Sequence, residues 1–66
     1  MKHSVKTIDN KTGKCLYEAD FSTPEAACEE YQKDLRLLKS KIEKGEEISI
    51  VRLNDGYVME FETVKG

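Results

Sequence analysis

Hydrophobic and polar positions change their spacing twice along this 66-residue chain, and the changes divide it into five elements. Over residues 3–21 the pattern alternates with a period near two, interrupted at Asn10-Lys11-Thr12-Gly13. This predicts a β-hairpin whose turn puts Gly13 in the left-handed region. The register pairs His3 with Phe21, Val5 with Ala19 and Thr7 with Tyr17 on one face. Ser4 with Asp20, Lys6 with Glu18 and Ile8 with Leu16 then share the other, because side chains alternate between the faces of a strand.

Beyond Phe21 the period lengthens. Ala27, Tyr31, Leu35, Leu38 and Ile42 recur at spacings of four, four, three and four, which at about 100° per residue is one stripe of a helix. Ser22 or Thr23 can cap it, Pro24 suits its first turn, Ser22-x-x-Glu25 has the form of a capping box, and Gly45 offers a stop after Lys44. A helix over 24–44 is about 31 Å long. It is therefore expected to cross the sheet diagonally and overhang it.

Alternation returns at Glu47 to Leu53 and Tyr57 to Val64, predicting a second hairpin around Asn54-Asp55-Gly56. Two registers are open. A two-residue Asp55-Gly56 turn, the preferred form, sets Ile50 opposite Phe61 and Arg52 opposite Met59 on the helix side; a three-residue loop sets Val51 opposite Met59. In either case apolar side chains fall on both faces. The expected fold is α+β: a single ββαββ domain over residues 1–66, with a four-stranded, mainly antiparallel sheet and one helix packed on one face. Strand order 2-1-3-4 would make every neighbour antiparallel, though the sequence leaves other orders open. Ile8, Leu16, Val51, Leu53 and Val58 are expected on the uncovered face as a diagonal stripe rimmed by Lys6, Glu18, Glu60 and Glu62. Leu37, about 120° from the helix stripe, is expected to be exposed. These six apolar residues are the expected partner-binding set.

Composition restricts what such a domain can do. It holds 25 apolar residues, three of them alanine and two cysteine, and a chain this short buries only about 60% of the surface it exposes when unfolded. Such a core leaves little to enclose a deep pocket, so neither an enzyme nor a bound cofactor is expected. His3 is the single histidine and lies near one end, a poor position for a nucleophilic triad. With Cys15 and Cys28 it makes three soft ligands without metal spacing, so no metal is expected. Glu60-x-Glu62 reads as a solvated strand pair, and no glycine-rich phosphate loop occurs. The first residues lack the apolar run of an export signal, so a cytoplasmic location and reduced thiols are expected, with Cys15 turned toward the helix.

Charge is blocked along the chain: +3 over residues 1–14, -5 over 15–31, +3 over 32–44 and -3 over 45–66, which sum to -2. Lys33, Arg36, Lys39, Lys41 and Lys44 make the second half of the helix basic. A phosphate-contacting stripe is one reading of it, hence a nucleic-acid-binding module as the alternative function. Complementing the helix dipole is the preferred reading, since Glu25, Glu29 and Glu43 are interspersed and no aromatic side chain lies among the bases.

The run Phe21-Ser22-Thr23-Pro24-Glu25-Ala26-Ala27 opening a single helix, followed by a strand pair turning at Asn54-Asp55-Gly56, resembles the plan of small ββαββ proteins encoded by bacteriophages and other mobile elements. The resemblance implies binding without catalysis, as in inhibitors of host defence systems or host enzymes. The expected function is thus a small, non-enzymatic protein-interaction module acting through the sheet face opposite the helix. Its expected partners are a second copy, as a homodimer, or a host protein, with neither nucleic acid nor membrane expected.

Overall fold

The computed structural model describes residues 2–66. Strands β1 (His3–Asp9), β2 (Lys14–Phe21), β3 (Glu47–Asn54) and β4 (Tyr57–Lys65) flank a single helix, α1 (Pro24–Lys41). The sheet order is β2-β1-β3-β4, and every neighbouring pair is antiparallel. This is the expected ββαββ α+β fold, with the helix packed across one face. Because β1 and β3 run in opposite directions, with His3 beside Asn54 and Asp9 beside Ile48, the two hairpin turns lie at opposite ends of the sheet.

The helix is capped by Thr23, not Ser22. The Thr23 hydroxyl oxygen accepts from the Ala26 amide at 3.2 Å, so the third helical position is Ala26 and the reciprocal glutamate of a capping box is missing. At the other end the helix stops at Lys41, three residues before the expected end at Lys44. Ile42 takes an extended conformation (φ -62°, ψ 134°), and the Glu43 amide donates to the Glu46 side chain at 2.7 Å in place of a helical carbonyl. Glu46 returns its own amide to the Glu43 carbonyl at 3.1 Å. Gly45, at φ +91°, completes this turn in a region that a side chain would disfavour. The resulting 18-residue helix is about 27 Å long, close to the length of the strands, and the expected overhang shrinks accordingly.

Between helix and sheet lies the core. Ala27, Tyr31 and Leu35 from α1 meet Val5 and Ile50 from the two central strands, with Phe21, Leu38 and Val64 packed around them. Val5 and Ile50 are shielded completely or nearly so, and burying each contributes about 1.5–3 kcal/mol. Val5 and Ile50 fix the parity of the central strands: odd residues of β1 and even residues of β3 face the helix.

Both edge strands depart from regular pairing. In the first hairpin five pairs, His3–Phe21 to Thr7–Tyr17, stand as expected, but Ile8 pairs with Cys15 instead of Leu16, which becomes the extra residue of a β-bulge. Cys15 therefore shares the face of Ile8, away from the helix, which corrects its expected direction. Both cysteines are free thiols, Cys28 on the helix and Cys15 on the far face of the sheet. In the second hairpin the turn is the expected two-residue one, with Asp55 at φ +51° and Gly56 at φ +85°. Two successive positive values define a type I′ turn. Asn54 pairs with Tyr57 and Leu53 with Val58, after which Met59 is skipped: Arg52 pairs with Glu60, Val51 with Phe61 and Ile50 with Glu62. Neither register expected for Ile50, Arg52 and Val51 holds. The cause is Arg52, whose side chain is only 14% exposed. The regular register would set it against Met59, whereas the bulge sets its Nε 2.8 Å from Glu60, and a charge so shielded needs its counter-ion.

Candidate functional site

The face opposite the helix can now be assembled row by row from the pairings. One row runs Asp20, Ser4, Leu53, Val58, and the next Glu18, Lys6, Val51, Phe61. Ile8 follows with Ser49 and Thr63, and Glu47 with Lys65. Val51, Leu53, Val58 and Phe61 thus form an apolar quartet on the β3–β4 half, with Ile8 diagonal to it. Val51, Leu53 and Ile8 are half-buried, while Val58 is 57% and Phe61 66% exposed. The side chains of Ser4 and Ser49, short and flanked by longer neighbours, are buried although no element covers them; Ser49 and Thr63 share a hydroxyl hydrogen bond of 2.8 Å.

The polar border of this face is internally neutralised. Lys6 lies 3.5 Å from Glu18, Lys2 3.5 Å from Asp20 and Lys65 3.5 Å from Glu47. Glu60 and Glu62, expected on this border, are on the helix side instead. Glu60 binds Arg52 and Glu62 lies 3.7 Å from Lys39 of the helix. Burial, and then the carboxylates of Glu60 and Glu62, raise the Tyr31 hydroxyl above its ordinary value, with Arg52 acting in the opposite sense.

Of the six expected partner-binding residues, the structure brings together Val51, Leu53 and Val58, with Ile8 diagonal to them. Leu16 is half-exposed within the β2 bulge. Leu37, 45% exposed, stands across the molecule on the helix, lining a groove with Tyr17. The diagonal stripe becomes a compact patch, and its most exposed member, Phe61, is the residue that sequence reasoning missed. Strict alternation put Phe61 under the helix; the signal that could have located it is the need of Arg52 for Glu60. The basic half of the helix does not form one free stripe either, since Lys39 is engaged by Glu62 while Lys33 and Lys41 line the groove beside Leu37.

Among the described residues no group of three or more histidine, cysteine, aspartate and glutamate side chains has a metal-binding arrangement, and no helix is long and apolar enough to cross a membrane. Comparison with protein-family models, curated proteins and solved structures returns no match.

Proposed function

We propose that this chain is a non-enzymatic protein-interaction module whose binding surface is the open face of the sheet, and that the partner seated there is a second copy. The observation that carries this reading is the quartet of Val51, Leu53, Val58 and Phe61, contiguous on two strands and bordered by polar side chains, the arrangement of an interface centre and its rim. The face is charge-balanced: three lysines meet three carboxylates within it. It therefore selects neither a basic nor an acidic partner, and a two-fold axis through the quartet would set apolar surface on apolar surface. At about 25 cal/mol per Å2, covering these side chains on both copies contributes several kcal/mol.

Light scattering coupled to gel filtration tests this directly. The unaltered chain is expected at twice 7.6 kDa at micromolar concentration, and Phe61→Asp or Val58→Asp at the monomer mass with helical circular dichroism intact. A mass of one chain for the unaltered protein throughout the concentration range would overturn self-association. The face would then be left to a foreign protein, as the resemblance to small phage-encoded proteins implies.

A further inference from the structure

On the other side of the sheet the helix does not cover β2 fully. A groove of about 390 Å3 lies between α1 and the sheet, with Ile50, Leu38, Tyr17 and Leu37 among its walls. Tyr17 and Leu37 are each about half exposed, at 51% and 45%, so the walls offer apolar surface to solvent. Glu30 and Asp34 also line it. Spaced i, i+4, they lie one turn apart on the same face of the helix, where like charges repel.

Neither carboxylate is held in a direct ion pair, although Lys33 and Lys41 line the same groove. Among the described residues no lysine or arginine forms an ion pair with either of them, and Asp34 Oδ2 is buried without a hydrogen-bond partner. While both are ionised neither can donate to the other. Burial, then a hydrogen bond to Glu30 and repulsion from it, push the Asp34 carboxyl up to about 6, with Lys33 acting in the opposite sense. Besides Asp34, the charged and titratable groups lining the groove are Glu30, Lys33 and Lys41 from the helix and Tyr17 from β2; β1 and β3 contribute the uncharged Thr7 and Ile50.

We propose that this groove receives a lysine or arginine side chain of a partner polypeptide, its aliphatic stem between Tyr17 and Leu37 and its cationic head on Asp34 and Glu30. Such a side chain matches both halves of the site, because its stem buries along apolar surface while its head supplies the missing donors. The site is separate from the open sheet face and stands whether or not that face pairs with a second copy.

The test is a titration of the isotopically labelled chain with acetyl-Ala-Arg-Ala-amide, read as nuclear magnetic resonance shifts. The neutral, near-isosteric citrulline peptide and acetyl-Ala-Glu-Ala-amide serve as controls. The arginine peptide is expected to shift Tyr17, Asp34 and Leu37 and to bind at least about tenfold more tightly than the citrulline peptide. Its affinity should rise about tenfold from pH 5 to pH 7 as Asp34 loses its proton. Asp34→Asn and, independently, Glu30→Gln should each weaken it, whereas Lys33→Gln should tighten it. Equal binding of the citrulline peptide, shifts confined to other surfaces, or preferential binding of the glutamate peptide through Lys33 and Lys41 would overturn the proposal.

Discussion

Asp34 is held against its own solvation, and the cost has a definite dependence on pH. Its folded value of about 6 lies above the ordinary 3.8, so the folded chain binds this proton more tightly than the unfolded one. The contribution of Asp34 to stability is therefore most favourable below about pH 4, declines as pH rises through 4 to 6, and is constant above. Replacing it with asparagine should raise stability at pH 7 by about 1 kcal/mol after solvent screening, and leave stability near pH 3.5 little changed. Urea denaturation of both chains between pH 3.5 and 7 measures this; parallel profiles would show that Asp34 does not titrate as described. The spacing of Glu30 and Asp34 is visible in the sequence, but their place on a groove shared with Tyr17 of β2 is not, because it depends on how the helix settles on the sheet.

At the scale of the element, the helix was legible and its ends were only partly so. The stripe from Ala27 to Leu38 needs only a period to be recognised, since any sheet beneath it accepts the same face. Capping is a competition between adjacent hydroxyls, and the geometry favours Thr23, whose backbone is extended and whose carbonyl also accepts from the Ala27 amide at 3.3 Å. Thr23→Ala should cost about 1 kcal/mol and Ser22→Ala a few tenths at most; thermal denaturation of the two variants distinguishes them, and a larger loss at Ser22 would contradict this cap. The bulges were not legible. Alternation reads Tyr57, Met59 and Phe61 as one face and Val58, Glu60 and Glu62 as the other, and only the demand of Arg52 for a counter-ion across the hairpin breaks that parity. An outward Phe61 is thus decided by a residue on another strand.

For the whole molecule, the ββαββ layout followed from few signals, two glycine turns and one amphipathic helix, whereas the strand order is decided by the pairing of β1 with β3, which no local pattern announces. The candidate site was legible in kind, as an uncovered face with too many apolar side chains for solvent, but not in shape. Ile8, Val51, Leu53 and Val58 needed only the parity of their own strands. Leu37 belongs to a different surface because it lies on the flank of the helix, on the groove that Tyr17 of β2 also lines. The molecule consequently presents two unlike surfaces on opposite sides of one sheet, the flat apolar face and the groove bearing Glu30 and Asp34.

The extra residues in β2 and β4 have a consequence for how copies of this chain can grow into larger bodies. Both open edges of the sheet carry one, Leu16 on β2 and Met59 on β4. A regular edge would be a template onto which another strand could add, and a sheet with two such edges can polymerise without limit. A bulge twists the strand and interrupts its row of amide and carbonyl groups, which disfavours growth from either edge. Deleting Met59 preserves every pair of the second hairpin while making the ladder regular, and should open that edge to strand addition. Fibre formation followed by dye binding and electron microscopy over days is expected for that variant and not for the unaltered chain; equal behaviour of the two would mean that something other than the bulge terminates growth.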